Sequence, residues 1–108
     1  MYLLWVNIKD DYMFEKTVRL LNEAGFNGMV LPSTSIHNVM SHASVEPIPF
    51  FGGFNKLKRR PFETGHTLIM LLEPERMELA KEKVREVVAD MKHKGVMFSI
   101  PVEFCEGL

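Results

Sequence analysis

His66-Thr67-Leu68-Ile69-Met70-Leu71-Leu72-Glu73-Pro74-Glu75-Arg76 is the stretch that decides how this chain folds. Its apolar run, Leu68 to Leu72, has the length of a strand. Pro74 then opens a helix, because a proline at the first helical position gives up no hydrogen bond that the helix would make. The sequence therefore predicts a strand over 66–73 that passes into a helix with almost no connection. Downstream, Met77, Ala80, Val84, Val87, Val88 and Met91 recur at helical spacing, and Gly95 is expected to end that helix. Glu78 and Lys81 lie three apart on its outer side, as do Glu82 and Arg85. A last strand follows, with Val96, Phe98, Ile100, Val102 and Phe104 alternating onto one face.

Upstream of this stretch, about thirty residues from Ile36 to Gly65 carry no helical or strand period. Before them, Gly28 to Ile36 reads as a strand. Phe14, Val18, Leu21 and Ala24 mark a helix for which Asp10 and Asp11 offer an N-cap and Gly25 a C-cap. Tyr2 to Ile8 is an apolar strand. The order is βαββαβ, an α+β chain whose simplest reading is a ferredoxin-like sandwich: two helices on one face of a four-stranded antiparallel sheet. The second and fourth strands lie at the edges of such a sheet, where prolines are tolerated. Pro32 and Pro101 fall in those two strands.

Helices can cover only one face of that sheet. The first strand is nevertheless apolar on both faces, with Leu3 and Trp5 against Leu4, Val6 and Ile8, and the third strand likewise. A sheet with one wet face alternates apolar and polar residues. The second face is therefore expected to be covered, by further copies of the chain or by the long segment folding back.

The 108 residues, 46% apolar and 25% charged, suit a single domain over 1–108 with one core. Thirteen basic against fourteen acidic residues leave no basic excess of the kind a dedicated nucleic-acid binder carries. Cys105 is the only cysteine, so no disulfide forms within the chain and a reducing, cytoplasmic setting is expected. No run approaches the ~20 apolar residues of a membrane span, and the N-terminal apolar run lacks a basic leader. No nucleophile elbow and no glycine-rich nucleotide fingerprint occurs, so no enzymatic activity is expected. His37, His42, His66 and His93, the four histidines, stand at no recognised metal spacing.

Chemistry concentrates in the long segment, in Pro49-Phe50-Phe51-Gly52-Gly53-Phe54-Asn55-Lys56-Leu57-Lys58-Arg59-Arg60-Pro61-Phe62. Loops of such length in a small domain are usually functional or disordered. Gly52 and Gly53 allow the backbone to approach a ligand and point amides at an anion, or make a tight turn. Lys56, Lys58, Arg59 and Arg60 can neutralise phosphates, or solvate the segment. Phe50, Phe51, Phe54 and Phe62 can stack on a base, or pack across an interface.

The chain resembles the PII signal-transduction superfamily, trimeric ferredoxin-like proteins whose long loop between the second and third strands contacts small molecules and partner proteins. The resemblance spans the chain as topology. It is sharper at Gly52-Gly53-Phe54, followed by Lys56 and then by Thr64-Gly65-His66-Thr67, which looks like a half-motif pair of PII-like cyclic di-AMP receptors. Ser33-Thr34-Ser35 resembles the hydroxyl-rich lip of that pocket. Three departures stand out: roughly ten residues separate the half-motifs, His66 takes the family's asparagine position, and only Glu73-Pro74 joins the third strand to the second helix. The glycine-rich phosphate cradle of nitrogen-regulatory PII proteins thus has no counterpart. Pro32-Ser33-Thr34-Ser35-Ile36 and the closing Pro101-Val102 also resemble CutA-type trimers, which are linked to divalent-cation tolerance. What the resemblance implies is a homotrimeric sensor of a small anionic ligand, such as cyclic di-AMP, ATP or AMP. Ligand would be held by Thr34, Gly52, Gly53, Phe54, Lys56, Lys58, Arg59, Arg60, Thr64, Gly65, His66 and Thr67, and a partner protein would be met by the loop. The alternatives are a CutA-like metal-binding trimer using His37, His42 or His66, and a structural oligomer without a small ligand.

Overall fold

A computed structural model describes residues 1–37, 39–40 and 65–107 of the chain. The elements run β1 (Tyr2–Ile8), α1 (Asp11–Glu23), β2 (Met29–Ser33), β3 (Gly65–Leu72), α2 (Pro74–Val87) and β4 (Gly95–Pro101). The four strands form one antiparallel sheet in the order β2-β3-β1-β4. This α+β arrangement is compatible with the expected ferredoxin-like fold. Pro32 and Pro101 lie on the two outer strands, where a missing N–H costs no ladder bond on the open side.

Local chemistry fixes α1 at both ends. Met13 N–H donates to Asp10 Oδ1 at 2.8 Å, so Asp10 is the N-cap foreseen from the sequence. At the other end Gly25 takes φ +85°, its N–H donates to the Asn22 carbonyl, and Phe26 N–H reaches back to the Leu21 carbonyl. These paired bonds are a Schellman stop. The Arg76 guanidinium then lies 4.0 Å over the Phe26 ring and donates to the Ala24 carbonyl, tying α2 to the end of α1.

Pairing in register puts one set of side chains on each face. Leu4 opposes Met70 and Val6 opposes Leu68, and all four are buried beneath Phe14, Leu21, Met77, Ala80 and Val84 of the two helices. Thr17 is buried with them, its hydroxyl donating to the Met13 carbonyl at 2.8 Å.

Three expected boundaries move. β2 stops at Ser33, not Ile36, and Ile36, His37, Val39 and Met40 are helical, with Val39 N–H donating to the Ser35 carbonyl. The Ser33-Thr34-Ser35 run explains this, since short hydroxyl side chains favour the start of a helix over the continuation of a strand. α2 ends at Val87, not Gly95. Val88 and Met91 still pack against the core, which prolonged the apolar period beyond the helix itself. There Asp90 Oδ1 accepts Lys92 N–H, and His93 takes φ 66° in a turn closed by Lys94 and Gly95 N–H donating to the Met91 carbonyl. β4 ends at Pro101, so Val102 and Phe104 follow the strand and do not extend it.

A candidate ligand site at one end of the sheet

The face turned away from the helices carries Leu3 and Trp5 of β1, Ile69 and Leu71 of β3, Met29 and Leu31 of β2, and Val96, Phe98 and Ile100 of β4. Met29 is 62% exposed and Phe98 44%. Trp5 and Phe98 stack with ring centroids 5.6 Å apart. No charged residue stands on this face among the described strands.

One end of the face is polar. There β1 is ending, β2 has ended and β3 is beginning, and the register brings Asn7, Thr67 and Ser33 together. Asn7 Nδ2 donates to Ser33 Oγ at 2.7 Å, to Thr67 Oγ1 at 3.0 Å and to the His66 carbonyl at 3.3 Å. The two hydroxyls are themselves 3.1 Å apart. Thr34 follows Ser33 directly. Gly65 opposes Ser33 and is buried, and a Cβ there would collide with the Ile8 carbonyl and stand 2.7 Å from Lys9 Cα. Close approach of β1 therefore explains this glycine without a ligand.

Of the residues expected from the sequence, Thr34, Gly65 and Thr67 fall together at this end. His66 is placed differently, since neighbours along a strand face opposite ways. It points to the helix side, where its ring stacks on Phe14 with centroids 5.1 Å apart and its Nδ1 is 3.4 Å from Asp11 Oδ1. That Nδ1 is buried without a hydrogen-bond partner. Gly52, Gly53, Phe54, Lys56, Lys58, Arg59, Arg60 and Thr64, with His42, lie outside the described residues. His37 is exposed on the helical turn after β2, and His93 is exposed in the turn before β4.

Asn7 was not among the expected site residues, and Ser33 was foreseen only within the Ser33-Thr34-Ser35 run that resembles the lip of a pocket. A signal for Asn7 exists: it is the one polar residue in the strand Tyr2–Ile8. A buried or half-buried amide on a strand needs partners, and these come from the two strands that flank the long connection. No protein-family model matches the chain, and no curated protein matches it.

Proposed function

We propose that the protein is a PII-like homotrimeric sensor that binds a small anionic ligand, a nucleotide such as cyclic di-AMP, ATP or AMP, in clefts between subunits, in a cytoplasmic setting. The observation that carries this reading is the juxtaposition of the Asn7–Ser33–Thr67 network with a wide, uncharged apolar face. Such a face suits burial against other copies of the chain. A polar cluster at its margin would then lie where a cleft between subunits opens. Thr34, Gly65 and Thr67 are at that margin. Gly52, Gly53, Phe54, Lys56, Lys58, Arg59, Arg60 and Thr64 enter the reading from the sequence alone, as amides, charge, a hydroxyl and an aromatic wall for the anion, whereas His66, turned to the helix side, drops out of it. Signalling would run through residues 36–65 to a partner protein.

Thermal unfolding with each of the three nucleotides tests this. The expected result is stabilisation that Gly53→Arg and the Arg59→Ala/Arg60→Ala double variant abolish. A CutA-like metal reading has one observation in its favour, the orphaned His66 Nδ1 beside Asp11. Among the described residues, however, no three His, Cys, Asp or Glu side chains are grouped to hold an ion. If zinc or copper raises the melting temperature and His66→Ala removes the effect, while no nucleotide acts at millimolar concentration, the metal reading replaces the sensor.

A further inference from the structure

The proton count in the Asn7–Ser33–Thr67 trio points to a specific role for Asn7. The His66 carbonyl can only accept, so the amide atom 3.3 Å from it is the nitrogen, and the orientation of Asn7 is fixed. That nitrogen has two protons for three acceptors within reach: one goes to Ser33 Oγ at 2.7 Å, the shortest contact, and the other is shared between Thr67 Oγ1 and the His66 carbonyl. Of the two hydroxyls, one donates to the other across 3.1 Å, and the second proton must leave the trio. Thr67 is only 2% exposed, whereas Ser33 is half-buried. A proton left over on Thr67 would be a buried donor without a partner, which is costly. Thr67 therefore donates to Ser33. Ser33 Oγ accepts from both neighbours, and its own proton is left for an acceptor outside the trio.

We propose that Asn7 is a positioning residue for the ligand site: by filling one acceptor position of Ser33 while Thr67 fills the other, it makes that hydroxyl a donor to an anionic oxygen of the ligand. The proposal rests on the sensor reading above. An anionic oxygen is the strongest acceptor such a hydroxyl can meet. Asn7 itself does not touch the ligand and acts through Ser33.

Calorimetric titration with ATP, AMP and cyclic di-AMP tests the role as a double-mutant cycle. Ser33→Ala weakens binding of the active probe roughly tenfold or more, and Ser33→Thr, which keeps the hydroxyl, stays within a few-fold of wild type. Asn7→Asp weakens binding to a similar degree, because its carboxylate accepts the Ser33 proton. In the Ser33→Ala background, Asn7→Asp causes no further loss. Thermal unfolding establishes that each variant is folded, and Asn7→Leu replaces Asn7→Asp in the cycle if the latter is not. A loss on changing Asn7 that is equally large in both backgrounds overturns the role, and so does wild-type affinity in Ser33→Ala; the sensor reading survives either. If wild type binds none of the three probes, the sensor reading fails and the positioning role fails with it.

Discussion

Single residues at the ends of α1 do work that was visible without coordinates. Asp10 caps the helix and Gly25 ends it at φ +85°, and both act within three or four residues of their own position. Asp10→Ala should lower stability by about 1 kcal/mol through the lost cap, and Gly25→Ala by about 1 kcal/mol because a Cβ strains the left-handed conformation; urea unfolding measures both. Asn7 was not legible in the same way. Its partners Ser33 and Thr67 lie 26 and 60 residues away, so its role exists only after the strands have paired. His66 shows the reverse case, since strand alternation alone separates it from Thr67. On α2, a hydrogen bond from Lys81 holds the exposed Glu78 carboxyl below its ordinary value. A depressed acid contributes at pH above its unfolded value and loses that contribution as pH falls through the lowered one. In Lys81→Gln, the NMR titration of Glu78 should therefore move upward toward the ordinary carboxylate value.

At the scale of elements, the sheet was legible because β1 and β3 are apolar at nearly every position, and β2 and β4 each hold a proline that suits an outer strand. Ends were harder to read, for two different physical reasons. Val88 and Met91 keep contact with the core after α2 has stopped, so burial and helical geometry part company there. After β2, Ile36, His37, Val39 and Met40 are helical just past the hydroxyl run, where the strand was expected to continue to Ile36. Burial also ranks the strands by their tolerance to change. Leu4→Ala, at the centre of β1 and 1% exposed, should cost about 2–5 kcal/mol by opening a cavity between sheet and helices. Phe104→Ala, beyond β4 and 77% exposed, should leave the unfolding midpoint of the isolated chain within about 0.5 kcal/mol of wild type. Chemical denaturation of the two variants separates a core position from an outlying one.

For the whole molecule, the uncharged face opposite the helices carries the proposal of self-association, and the polar end of that face carries the proposal of a ligand. The first expectation arose from strands apolar on two sides, the second from the chemistry of residues 49–62 and the family resemblance. The register adds that the apolar residues turned away from the helices on all four strands share one surface. Phe98→Asp, in the stack with Trp5, would place a charge on that surface and should dissociate the assembly to monomer in light scattering, while helical circular dichroism is retained. Native mass spectrometry at micromolar protein with cyclic di-AMP, ATP or AMP measures assembly and ligand together. The account predicts a trimer carrying up to three molecules of one nucleotide. A monomer, or a trimer that takes up none of the three at millimolar concentration, would contradict it.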